Sequence, residues 1–473
     1  MQYALSYFTE ISKYIIIGIV SAYTLLGFGM LFAGAGKARK IMGICQDFMI
    51  FAVQAVEFIH MIVVSGDQDY LFLYLCSQVM LLAILGLVHL VYEVENQILL
   101  NNMCMLLGFG FCMIARLGFP KAVRQLVIVG LSFAISIFIP ALLKKLHFWR
   151  KLTWFYAVVG VSALSVVLLL GEVSGGSKIS FTIADSITFQ PSEFVKILFL
   201  FFLAGALWEE HHFWNVALTA VVAGIHVIIL VISVDLGSAL IFFVTYVLIV
   251  FVVTRNYLYL LLGAAGGSGA AVLAYQFFNH VRVRVLAWQD PWSYIDREGY
   301  QITQSLFAIG SGNWFGMGLM HGNPKAIPRV DRDFIFSSVC EEMGVITGIC
   351  LALICLISFL AMSEIAVKVQ DSFYQLIVYG IAVEYLFQII LTIGGGIKFI
   401  PMTGVTLPFV SYGGSSAMTT MFMYFIVQGI YLMMLQQEGG KSDDGRVRTA
   451  SKKGPKRTRK VPKESSAKES RKR

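Results

Sequence analysis

The run Asp331-Arg332-Asp333-Phe334-Ile335-Phe336 sets carboxylates beside cations at the end of the longest polar stretch in an otherwise apolar chain. Arg329 and Lys325 stand just before it. A carboxylate placed where a loop re-enters the bilayer can take a proton. Fixed cations beside it can hold developing negative charge. Together they suit chemistry on a lipid-linked phosphate compound. The plainer reading of Asp331 or Asp333 is an N-cap for the helix that follows.

Other ionisable residues at membrane depth are costly and so are functional candidates. Glu193 and Lys196 lie three apart at the start of an apolar run, on one helix face. Pro191 suits the first turn of that helix and Glu193 its positive dipole end; a structural ion pair explains the two equally well. Asp235 occupies a short turn between two apolar runs, placed to cap the next helix or to meet substrate. Glu342, below Asp333, is expected to pair inside the bundle. Glu57, His60, His226 and Glu384 form no constellation, and internal hydrogen-bonded packing is expected for them. Pro401–Gly404 and Leu407–Ser416 bring Pro, Gly and Ser, including Ser411 and Ser415, to the start of the last apolar run. Irregular backbone at such depth is tolerated where protein or a cavity surrounds it. Close packing through small residues is the alternative.

The elements that must position these residues are membrane helices. Mean hydropathy is +0.76; hydrophobic residues make up 58% of the chain and charged residues 14%, against about 25% charged in soluble domains. Apolar runs long enough to cross a bilayer predict thirteen spans, at 14–34, 45–65, 70–92, 99–117, 123–143, 152–171, 190–208, 214–234, 236–254, 257–277, 335–361, 373–397 and 407–435. The expected class is therefore an all-α polytopic membrane protein. No cleavable signal pattern opens the chain. The seven cysteines are scattered through apolar runs without metal-ligand spacing, and read as small buried residues. From Glu438 onward 14 Lys/Arg face 5 Asp/Glu, while the whole chain is only +8. The basic excess thus belongs to the tail and gives no nucleic-acid surface. That tail, rich in Gly, Ser and Lys, is expected to stay unfolded.

Short-loop Lys and Arg set orientation. Lys37, Arg39, Lys40, Lys144, Lys145, Arg150, Lys151, Arg255 and the tail share one side, which predicts a cytoplasmic C-terminus and an outside N-terminus. Arg116, Lys121 and Arg124 dissent. Residues 172–189 and 278–334 are then long outer loops. Trp288, Trp292, Tyr294, Tyr300 and Trp314 favour the headgroup region for the second of these, with Gln301–Ile309 as an interfacial helix.

Five stretches carry a resemblance: QPSEFVK (190–196), DLGSA (235–239), GYQITQSLFAIGSGNWFGMGL (299–319), DFIFSSVCEEMG (333–344) and PMTGVTLPFVSYGGSS (401–416). In this order they resemble the SEDS family of shape, elongation, division and sporulation proteins, which includes FtsW, RodA and SpoVE. The likeness spans about 99–435. It implies a ten-span core at 97–436 with a large loop at 278–334, preceded by about three extra spans in 1–96 and followed by a basic tail at 437–473. It also implies a peptidoglycan glycosyltransferase of the bacterial cytoplasmic membrane, polymerising lipid II at the outer face beside a class B penicillin-binding protein and other division or elongation proteins. The family's essential loop aspartate falls on Asp333. Glu193, Lys196, Asp235, Gln301, Arg329, Arg332, Glu342, Ser411 and Ser415 are then candidates for substrate binding. Arg282 and Arg284 are further cations, and a divalent Mg or Mn ion is a candidate aid to the leaving pyrophosphate. The chain departs from the family pattern at Arg329, Asp331 and Arg332, where Glu, His and Thr are usual, at Gly175–Ile179, and at Thr392. The rival readings are a flippase for lipid-linked precursor and a non-catalytic scaffold of a division complex.

Overall fold

Apolar runs fold as helices here because a membrane-embedded backbone must satisfy its own polar groups. The computed structural model describes residues 2–34, 36–92, 95–146, 148–174, 177–183, 187–209 and 212–451. Among them, 12 helices are long and apolar enough to cross a membrane. In chain order the elements are α1 (Gln2–Phe32), α2 (Lys37–Ser65), α3 (Asp69–Val91), α4 (Gln97–Leu117), α5 (Phe119–Ser136), α6 (Ile139–Lys145), α7 (Thr153–Leu170), β1 (Glu172–Ser174), β2 (Ser177–Ile183), β3 (Ile187–Phe189), α8 (Pro191–Leu207), α9 (Phe213–Ile232), α10 (Leu236–Thr254), α11 (Tyr257–Phe277), α12 (Asn279–Gln289), α13 (Tyr300–Gly312), α14 (Ile335–Lys368), α15 (Ser372–Gly396) and α16 (Gly414–Ser451). Each of the thirteen expected spans coincides with a helix; α8, at 17 residues, is the shortest of them.

Three features differ from expectation. The segment 172–189 pairs as a small antiparallel sheet, in the order β1-β2-β3. Its Gly175 and Gly176 lie outside the described residues. The last span begins at Gly414 rather than 407, because residues 401–413 are irregular. The tail, expected to be unfolded, is helical as far as Ser451: an established helix extends with one hydrogen bond for each residue fixed. Residues 452–473 lie outside the described residues. Among the described residues, those up to Leu432 form one compact unit and those from Met433 to Ser451 a second.

The bundle is layered around α4, whose apolar window is wholly buried. It carries Asn101 and Asn102, both fully buried, and faces neighbours on all sides. At the other extreme α11 buries none of its residues. Phe32, Leu169, Trp214 and Val367 are exposed large hydrophobics on other helices. Such a surface fits lipid, which unlike water does not disfavour apolar side chains.

One close backbone contact fixes the loop that leads to Asp333. Gly344 interrupts α14 with φ 89°, a region open to glycine. The kink lets the loop after α13 lie against it, and Met317 N and Gly318 N donate to Glu341 O and Glu342 O, both at 2.9 Å. A Cβ at Gly344 would stand 2.4 Å from the Trp314 carbonyl oxygen. Gly344→Ala is therefore expected to cost about 1–3 kcal/mol from overlap alone, read as an earlier unfolding transition in detergent. A variant as stable as the wild type would show that this contact is not tight.

Candidate active site

Phe334 precedes α14, and no side chain caps that helix. Neither Asp331 nor Asp333 is therefore the N-cap that the plainer reading expected. Asp331 is engaged elsewhere. Its Oδ2 accepts from Lys121 Nζ at 2.8 Å, and its carbonyl accepts from Tyr412 N at 2.7 Å. Asp333 is only 8% exposed and faces a cavity of about 120 Å³ that it shares with Arg284, Arg329 and Arg332. Burial pushes its carboxyl up to about 6, while Arg329, Arg332 and Arg284 pull it down and Asp331 adds to the rise. Desolvation thus outweighs three guanidinium groups.

The remaining walls come from helix starts and loops. Pro191 opens α8, which brings Gln190 and Glu193 to the rim of the cavity. Asp235 both caps and lines: its Oδ1 accepts from Ser238 N at 3.1 Å, and its Oδ2 accepts from Ser192 Oγ at 3.1 Å and Gln190 Nε2 at 3.3 Å. Arg284, on α12, donates from Nη1 to the carbonyls of Met402 and Thr403, both at 3.3 Å. It thereby holds the irregular 401–406 segment against the cavity. Ser415 Oγ accepts from Gln190 N at 3.0 Å and donates to Thr188 O at 3.3 Å, which ties β3 to the start of α16. Thr403, Gly404, Tyr412, Gly413 and Gly414 complete much of the lining. Parts of both Pro/Gly/Ser runs therefore line the cavity, one of the two readings their composition left open.

Of the residues singled out in the sequence, Asp333, Glu193, Asp235, Arg329, Arg332 and Ser415 meet in this cavity. Four other candidates for substrate binding, Lys196, Gln301, Ser411 and Glu342, do not line it. Lys196, 2% exposed, is held beneath it by Glu193 Oε2 at 2.7 Å and Gln388 Oε1 at 3.0 Å. Gln388 in turn donates to Thr406 O at 3.0 Å, so Lys196 reaches the cavity only through an intermediary. Gln301 is half-buried on α13, outside the cavity. Ser411 Oγ donates to Arg332 O at 2.5 Å and accepts from Leu407 N at 2.9 Å, so it shapes the backbone. Glu342 is turned away to Arg116, whose Nε donates to its Oε1 at 2.9 Å, as the expected internal pair. Arg282 donates to Gln276 O at 2.9 Å and lies off the cavity.

Among the described residues no three His, Cys, Asp or Glu side chains gather to hold a metal ion. A magnesium ion here would take substrate oxygens for most of its shell, with the cavity carboxylates Asp333, Asp235 and Glu193 as the protein candidates. The expectation of internal hydrogen bonding holds for His60 and fails for Glu384, neither of whose oxygens has a partner. The Lys121–Asp331 pair was missed in the sequence. Its only signal was a cation on the wrong side for the orientation rule.

The profile of the FtsW/RodA/SpoVE family, described as cell cycle proteins, matches residues 97–434. The chain belongs to this family. It is 30% identical over 361 residues to a peptidoglycan glycosyltransferase RodA of Mycobacterium leprae, covering 71% of this chain and 77% of that one. It is 31% identical to the stage V sporulation protein E of Bacillus subtilis, over 64% of this chain and 84% of that one. Among solved structures, a chain of a peptidoglycan synthase complex that coordinates polymerization and crosslinking superposes with TM-score 0.62 at 24% identity, over 73% of this chain and all of that one. The rod shape determining protein RodA of Thermus thermophilus gives 0.53 at 23%, over 72% and 97%. These likenesses show the fold: a multi-pass helical membrane bundle.

Arg116 and Glu342 are 13% and 0% exposed at their side chains. Removing one partner of such a buried pair leaves an uncompensated charge, so Arg116→Ala should cost about 3–5 kcal/mol. Adding Glu342→Gln should recover part of that loss. Thermal unfolding in detergent checks both, and an additive double variant would show that the pair is not coupled.

Proposed function

We propose that this protein is a peptidoglycan glycosyltransferase that polymerises lipid II at the outer face of the bacterial cytoplasmic membrane. The observation that carries the reading is Asp333: a carboxyl whose burial pushes it up to about 6, opening on a cavity lined by three arginines. In the reaction a sugar hydroxyl of one substrate attacks the anomeric carbon of another. The new glycosidic C–O bond forms as the bond from that carbon to the pyrophosphate oxygen breaks. Asp333 accepts the hydroxyl proton as general base. Arg284, Arg329 and Arg332 hold the negative charge that grows on the departing lipid pyrophosphate. Asp235, Glu193 and Ser415 orient sugar hydroxyls from the opposite walls. A divalent ion bound with the substrate would add further charge stabilisation.

Apart from Ile128, the cavity is lined by loops, the strands β2 and β3, first turns of spanning helices and the non-spanning α12. That favours chemistry at one membrane face over transport through the bundle. A partner of the class B penicillin-binding type would crosslink the strands. The related complex that coordinates polymerization with crosslinking supports this pairing.

Asp333→Asn keeps the shape and removes the base, and general-base loss costs about 10²- to 10⁴-fold. Purified protein, with and without the transpeptidase, is tested on lipid II and the products are run on a gel. Wild-type polymer with none from Asp333→Asn is expected; equal polymer from both would sink the mechanism. The base must be ionised, so kcat/KM should climb as pH passes about 6 and level off above it. Arg329 pulls that carboxyl down, so Arg329→Ala should move the climb to higher pH. An unmoved limb would place the titrating group elsewhere.

A further inference from the structure

The family match begins at residue 97, so α1–α3 lie outside it. Of these, α1 and α2 nevertheless reach the loop that carries the site. His60, on α2, is fully buried. Its Nε2 lies 2.8 Å from the carbonyl oxygen of Leu319 and its Nδ1 2.6 Å from Ser12 Oγ of α1. Phe8 stacks on the ring at 5.6 Å. Leu319 sits in the stretch between α13 and α14 that ends at Asp333, 259 residues away from His60 in the chain.

That stretch needs holding. Asn313, Met320 and Arg329 all have positive φ, at 52°, 68° and 56°. Non-glycine residues persist there only when their surroundings over-determine them. The supports run in sequence along the loop. His60 meets Leu319 O, and Arg116 Nη2 donates to Gly322 O at 3.1 Å. Asn323 N then donates to Glu341 Oε1 at 2.9 Å, and Lys121 meets Asp331. The first support comes from the extra spans, and the others from the family core. Deeper in the membrane a polar seam fastens the same spans to that core. Tyr23 Oη donates to Asn102 Oδ1 at 2.9 Å, Asn102 Nδ2 to Ser358 Oγ at 3.0 Å, and Asn101 Nδ2 to Gly43 O at 3.2 Å.

We infer that α1 and α2 are a built-in brace for the segment bearing Asp333, with His60 as its positioning residue. His60 touches no cavity residue; it fixes Leu319, and through the loop the placement of Arg329, Arg332 and Asp333. The catalytic consequence rests on the polymerase reading above, while the mechanical one stands without it.

The test uses full-length His60→Ala, Ser12→Ala and His60→Gln, the last keeping a side-chain donor. Hydrogen exchange of residues 313–333 and polymerisation kinetics on lipid II are measured for each. Expected for His60→Ala is faster exchange confined to 313–333. A drop in kcat of about tenfold or more with KM little changed should accompany it, since small misplacements of a site carry such costs. Ser12→Ala should show a weaker form of both effects, and His60→Gln should restore most of kcat. Unchanged exchange in His60→Ala overturns the brace, as does exchange raised evenly over all helices. If exchange changes as expected but even the wild type makes no polymer, the brace stands and the polymerase reading falls.

Discussion

The arrangement around Asp333 depends on one electrostatic compromise. A carboxyl taken out of water tends to hold its proton, and three guanidinium groups drawn into the same cavity favour giving it up. Neither side of that balance is stable alone. Arginines crowded at a helix-bundle end repel each other without an anion, and a lone buried carboxyl is neutral and chemically idle. Much of the loop architecture serves to bring Arg284 from α12, and Arg329 and Arg332 from the approach to α14, onto one aspartate. The same cationic wall that tunes Asp333 is the one a pyrophosphate would meet.

Holding such a wall in irregular backbone is the second demand. Residues 401–413 have no regular structure, and their carbonyls and amides are met from elsewhere: Arg284 on Met402 O and Thr403 O, Thr392 Oγ1 on Val405 O at 3.0 Å, Gln388 on Thr406 O, and Gln125 Oε1 accepting from Gly413 N at 3.4 Å. Buried backbone groups left unmet are expensive, so these side chains specify the cavity shape although few of them face it. Lys196 belongs to the same tier. Paired with Glu193 and hydrogen-bonded to Gln388, it acts on the walls from beneath.

Two of the three cations that contradict the orientation rule find their reason here. Arg116 and Lys121 stand at the same end of the bundle as Asp333 because Glu342 and Asp331 require them there. A charge already spent on a carboxylate carries little weight as a topology signal. The three spans before the family core answer to a related need. α2 and α3 pack on α4, and α2 reaches the strained loop through His60.

The sequence by itself determined the helices, since a bilayer leaves an apolar run of about 20 residues few other options. It also marked the chemistry-bearing segments, because Pro, Gly and Ser at membrane depth and carboxylates beside arginines are rare without purpose. It did not separate residues that face the cavity from those one layer behind it. Glu342 and Asp333 are both carboxylates, Ser411 and Ser415 are both serines, and Glu193 and Lys196 share the start of one helix, yet the fold sends one of each pair to the cavity and the other into packing. Nor did it show that Lys121 closes on Asp331 or His60 on Leu319. Those contacts join segments more than 200 residues apart, and only the folded bundle, by excluding water and leaving each buried polar group to find a partner, decided them.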